Sequence, residues 1–111
     1  MASVSNLAID QGTTYSATIS VVDSTGSARN LSGFTARSQL RRSYYTTSNT
    51  SFSVSIDNPT EGEIILELTS TQTSNLKAGR YVYDVELVSN TTSSVERIVE
   101  GIVTIYPEVT K

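Results

Sequence analysis

The chain has 111 residues, a net charge of −3, and 37% apolar and 17% charged side chains, which is enough for one domain with a modest core. It contains no cysteine and no histidine, which excludes a disulfide framework and a thiolate metal site and removes the commonest general base. The acidic balance argues against non-specific nucleic-acid binding, and neither a secretory signal nor an apolar run of membrane-spanning length is present.

Ser and Thr make up about a third of the residues. Thr suits the pleated strand surface and Ser suits turns. Along the chain the apolar residues recur mostly with a period of 2, the signature of half-buried strands. A short strand is possible at Leu7 to Ile9. Tyr15, Ala17, Ile19 and Val21 then alternate with Ser16, Thr18 and Ser20 until "DSTG", Asp23 to Gly26, makes a turn. Phe34, Ala36 and Leu40 share one parity, with Arg37, Gln39 and Arg41 on the other. Phe52, Val54 and Ile56 alternate with serines until "DNP", Asp57 to Pro59. Ile64, Leu66 and Leu68 form the next run, and Tyr81, Tyr83, Val85 and Leu87 the one after. In the last run, Val95 to Ile105, adjacent Ile98 and Val99 and the interrupting Gly101 point to a bulge. "TSTQTSNLKAG", Thr69 to Gly79, predicts one helical turn, capped by Ser or Thr and closed by Gly79.

Turn signals every ten to fifteen residues or so predict an all-β chain. The expected fold is a single antiparallel β-sandwich of about seven strands, with at most one short helical turn. No repeat or linker divides residues 1–111. The polar ends, Met1 to Asn6 and Tyr106 to Lys111, read as short arms that order only on a neighbour.

Charge is uneven. Residues 1–56 hold Arg29, Arg37, Arg41 and Arg42 against only Asp10 and Asp23, whereas the other nine acids follow. Opposite charges could pair inside the domain, or neighbouring copies could dock head to tail.

Asp84 and Glu86, two apart on a strand, share a face with about 6.5 to 7 Å between Cα atoms. Inverting glycosidases hold their carboxyls roughly 6.5–9.5 Å apart. That chemistry also needs a cleft with a wall that raises a pKa, and the chain has no Trp as a sugar platform. Strand parity places both acids on the outer face, Tyr81 and Tyr83 in the core, and Arg37 and Arg41 as their cross-strand partners. No catalytic residue, cofactor or metal is expected. Asp57, Asn58, Glu61 and Glu63 offer oxygens for calcium, yet "DNPTEG" reads more simply as a turn. Asn30, Asn49 and Asn90 begin acceptor triplets of the kind that chance supplies in a chain so rich in Ser and Thr. "RSQLRRSYYTT", Arg37 to Thr47, interleaves arginines with Tyr44 and Tyr45. That pattern fits phosphate or nucleic-acid contacts, or a protein interface, and the negative net charge favours the interface.

Four stretches stand in an order that resembles a known family: "IDQGTTYSATISVVDSTG", "NLSGFTARSQLR", "EGEIILELTSTQTSNLKAGRYVYDVEL" and "RIVEGIVTIYPEVT". The chain resembles an immunoglobulin-like domain of tailed-phage structural proteins, best known as the N-terminal domain of siphophage upper baseplate proteins. The most specific parts are Gly33 to Arg37 and Gly79 to Glu86. The resemblance implies a non-enzymatic assembly module of the virion, built in the host cytoplasm. With no coiled coil or receptor-binding domain after Lys111, the expected role is capsid decoration or a neck, tail or baseplate adaptor. Expected partners are other virion proteins and copies of the chain itself, with no nucleic acid and no membrane. Interface candidates are Arg37, Arg41, Arg42, Tyr44, Tyr45 and Tyr106, with the loop Asn49 to Ser51 and the two arms. A carbohydrate-binding or adhesin domain is the alternative.

Overall fold

The structure is a computed structural model that describes residues 3–43 and 49–109. Its elements in chain order are β1 (Ser3–Val4), β2 (Leu7–Asp10), β3 (Tyr15–Ser20), β4 (Phe34–Arg41), β5 (Thr50–Ser51) and β6 (Ser53–Asn58). A 3-10 turn η1 (Pro59–Glu61), β7 (Glu63–Leu68), α1 (Ser70–Ser74), β8 (Gly79–Ser89) and β9 (Val95–Tyr106) follow. The larger sheet runs β1-β9-β8-β4-β5, with β2 also on β9, and the smaller runs β3-β7-β6. This is the β-sandwich that the alternation predicts, in the immunoglobulin-like form that the resemblance implies. Two of the nine strands found among the described residues, β1 and β5, are only two residues long.

Alternation decides what lies between the sheets. Ile64, Leu66 and Leu68 of β7 are buried, with Glu67 exposed and Glu63 and Ile65 partly covered. They face Tyr81, Tyr83, Val85 and Leu87 of β8 and Val103 and Ile105 of β9 across one continuous core. Fully burying an aliphatic side chain of this size contributes about 1.5–3 kcal/mol.

The N-terminus departs from the expected arm. β1 and β2 pair with β9, Ser3 beside Val99 and Leu7 beside Val103, and both run parallel to it. Ile9 is completely buried. The short strand expected at Leu7 to Ile9 is present as β2, whereas Ser3–Val4 of the expected arm joins the sheet as β1; their parallel course is an exception to the otherwise antiparallel pairing. Between β1 and β2 the ladder breaks, and three residues repair it. The Asn6 side-chain oxygen accepts from the Ile102 N–H at 3.0 Å. The Tyr83 hydroxyl donates to the Ser5 carbonyl. Gly101 leaves the room, because a Cβ there would stand 2.2 Å from the Ser5 oxygen. Tyr83 lies directly opposite Gly101 in the register, so its ring occupies the side of the sheet that the glycine leaves empty.

The predicted bulge is present. Val85 pairs with Val99 and Glu86 with Arg97, leaving Ile98 as the extra residue. This is why Ile98 and Val99 are both buried despite being adjacent.

The helical turn is also where the sequence places it, with one correction. Thr69 caps it by accepting from the Gln72 N–H, while the Gln72 side chain accepts from the Thr69 N–H, a reciprocal capping box. It ends at Asn75 rather than at Gly79, which begins β8 with φ +133°. Thr73, fully buried, donates to the Thr13 carbonyl at 2.7 Å and ties α1 to the turn before β3. Four residues before the start of the β8 core, the Lys77 carbonyl accepts from the Tyr81 hydroxyl at 2.8 Å. This is the tyrosine corner of immunoglobulin-like sandwiches.

Candidate functional site

The outward parity of β4, β8 and β9 builds the candidate site on the exposed face of the larger sheet. Register sets its rows. Arg37 lies beside Glu86, which lies beside Arg97; Gln39 lies beside Asp84, which lies beside Glu100; Arg41 lies beside Val82, which lies beside Ile102. Arg37 Nε donates to Glu86 Oε1 at 2.8 Å. Arg97 Nε stands 3.2 Å from Asp84 Oδ2, and its Nη1 stands 3.4 Å from Glu100 Oε2. All of these side chains are partly exposed, so each ion pair is worth a fraction of a kcal/mol and acts mainly to fix orientation.

Asp84 is held above the ordinary aspartate range, first by desolvation and then by Glu86, with Arg97 opposing both. A raised carboxyl next to a second acid is what the acid/base reading requires. The surroundings do not supply the rest of such a site: each acid is already engaged by a guanidinium, and both lie on an open sheet. Two shallow hollows flank them. One of about 410 Å³ is bounded by Arg37, Gln39, Ser51, Phe52, Asp84 and Glu86. The other, about 290 Å³, lies among Gln39, Arg41, Val82, Asp84, Glu86 and Arg97. Towards the end of β9 the face carries Val82, partly covered, and the exposed Ile102 and Tyr106, with the Arg80–Thr104 row between the last two.

The predicted interface residues do not form one patch. Arg37 is on the outer face and pairs with Glu86 as expected. Arg41 is on the same face, but it sits one row from Asp84 and two from Glu86, and its Nη2 donates to Gln39 Oε1 at 3.1 Å. The partner of Asp84 is therefore Arg97, a correction to the expected pairing with Arg41. Arg42 leaves the face. Its guanidinium lies 4.9 Å from the centre of the Tyr81 ring and donates to the Arg80 carbonyl. Tyr106 stands at the far end of β9 beside Asp10. Tyr44 and Tyr45 lie outside the described residues.

Alternation did not reveal Arg97, Glu100 and Ile102. The bulge at Ile98 shifts parity, so Arg97 and Glu100 share a face although they are three residues apart. The adjacency of Ile98 and Val99 was the available signal. Away from this face, a further ion pair joins Arg29 to Glu96 with both contacts at 2.9 Å, and Arg29 also lies over Phe34. At the suggested calcium turn, the Asn58 amide donates to Glu63 Oε1 at 3.1 Å. No group of three or more potential metal-ligating side chains comes together among the described residues.

No protein-family model matches the chain, and no curated protein matches it. Solved structures do match. The chain is similar to Listeria monocytogenes InlP at 18% identity and a TM-score of 0.50, over 92% of this chain and 26% of that one. It thus spans about a quarter of the InlP structure. It is also similar to the NK cell receptor Nkp44 at 12% identity and a TM-score of 0.49, over 96% of this chain and 99% of that one. At such identities the InlP likeness speaks for the immunoglobulin-like fold alone.

Proposed function

We propose that the chain is a non-enzymatic docking module whose working surface is the outer face of the larger sheet. Following the resemblance in its sequence, we assign it to a tailed-phage virion, as a decoration protein or a neck, tail or baseplate adaptor. The observation that carries the reading is the outer face itself. It combines ordered, mutually paired charges around Asp84 with the exposed side chains of Ile102 and Tyr106. Charges fixed in advance lose little freedom on docking, and apolar and aromatic groups beside them supply the buried contact that a partner needs. The partner is a virion protein presenting a complementary, partly apolar face.

Co-expression with the structural proteins encoded beside it, followed by particle purification, tests this. Ile102→Glu should reduce incorporation about tenfold or more, an effect typical of disrupting a buried interface contact, while the melting temperature changes little. Unchanged incorporation for Ile102→Glu and for Arg37→Glu would remove the outer face from the proposal. Selective binding of the purified chain on a glycan array would instead favour a carbohydrate-binding module.

A further inference from the structure

Sheet edges carry unpaired N–H and C=O groups, and folded proteins protect them with charge, proline, bulges, breaks or short strands. Among the described residues the two sheets have four edges, and three of them are protected in these ways. β5 has two residues. β6 shifts register between Ser55 and Asn58 and carries Asp57. The β1–β2 edge is broken at Ser5 and Asn6. β3 has no such protection. It is "YSATIS", six residues without charge, proline or bulge, and among the described residues it pairs with β7 alone. The first strands, by joining β9 in the other sheet, leave β3 open.

We propose that β3 pairs antiparallel with β3 of a second copy of this chain, joining the two smaller sheets across a two-fold axis. This surface is separate from the outer face proposed above, and its occupant follows from the strand's own pattern. The Val21 N–H donates to the Gly62 carbonyl at 2.8 Å, so the odd-numbered residues turn their backbone groups towards β7. By alternation, Ser16, Thr18 and Ser20 turn theirs to the open edge. A two-fold register centred on Thr18 sets Thr18 against Thr18 and Ser16 against Ser20, so all three outward-bonding residues of each copy are paired. The same register sets Ala17 against Ile19 on the inner face. Tyr15 and Ala17 face inward yet remain partly exposed, and β3 of the second copy would set its own inward-facing side chains beside them. An uncharged strand meets its own copy with no like-charge repulsion.

The register makes Thr18 the test position. The chain has no cysteine, and residues facing each other in a hydrogen-bonded antiparallel pair have Cα atoms about 5.5 Å apart, within disulfide reach. Under mild oxidation Thr18→Cys should form covalent dimers, whereas Ser16→Cys, which faces Ser20, should form few. In sedimentation velocity across a concentration series, the unmodified chain should pass from monomer to dimer. Thr18→Lys sets two ammonium groups against each other and should remain monomeric with unchanged circular dichroism. The proposal is overturned if the unmodified chain stays monomeric throughout, if Thr18→Cys cross-links no better than Ser16→Cys, or if dimers persist in Thr18→Lys.

Discussion

Asp84 and Glu96 each face an arginine, yet folding moves their proton equilibria in opposite directions. Desolvation, helped by Glu86, raises Asp84. The hydrogen bond from Arg29 lowers Glu96. An acid raised by folding costs stability once pH exceeds its ordinary value, because the unfolded chain ionises first; an acid lowered by folding adds stability there and loses it as pH falls. Asp84→Asn should therefore raise the melting temperature at neutral pH, and the gain should vanish as pH falls towards 3.8. Glu96→Gln should lower it at neutral pH, with the loss disappearing as pH falls below 4.5. Both sites are at least partly exposed, so each difference should be about 1 kcal/mol or less, measured by thermal denaturation across a pH series. At this scale the sequence was half legible. Parity alone placed Asp84, Glu86, Arg37 and Arg41 on one face. It could not tell Arg41 from Gln39 as the neighbour of Asp84, because that depends on how β4 and β8 slide past each other. Nor could it find Arg97 behind the bulge.

β9 is the element on which the larger sheet depends, since it carries β8 on one side and the N-terminal strands on the other. Its glycine and the tyrosine opposite act on a single carbonyl, that of Ser5. Gly101→Ala would drive a Cβ into backbone that cannot yield without displacing the strand, a cost of about 1–3 kcal/mol by analogy with overpacked cores. Tyr83→Phe removes the hydroxyl donor to Ser5 and should cost about 1 kcal/mol. Because both changes affect one contact, their combined cost should fall short of the sum. Urea denaturation of the two single variants and the double checks this, and hydrogen exchange at Leu7 and Ile9 should quicken in each. The bulge and the helical turn were legible, the first from Ile98 beside Val99 and the second from Thr69. The end of α1 was not. Asn75 closes it through its own N–H, so Gly79 was free to start a strand.

For the whole molecule, the N-terminal segment is part of the sandwich. Deleting residues 1–10 removes the completely buried Ile9 and its pairing with Ile105. Losing that one side chain should cost about 2–5 kcal/mol, and losing the strand should cost more. Ending the chain after Tyr106 sacrifices far less among the described residues, chiefly the Glu108 N–H bond to Gln11. Chemical denaturation of the two truncations should separate them widely, and equal losses would contradict this reading. Composition misled here because Ser3, Ser5 and Asn6 look like linker residues, and Asn6 earns its place only through Ile102. Pairing partners far apart in sequence leave no local trace.

The parallel course of the first strands beside β9 also sets how the molecule carries load. Ser3 lies beside Val99 and Asp10 beside Tyr106, so a pull that draws residue 3 and residue 106 apart acts along both strands in opposite senses. The bonds between them are then strained together in shear, rather than opened one at a time as in a hairpin peeled from its end. Tension applied this way would meet the sandwich in its stiffest direction.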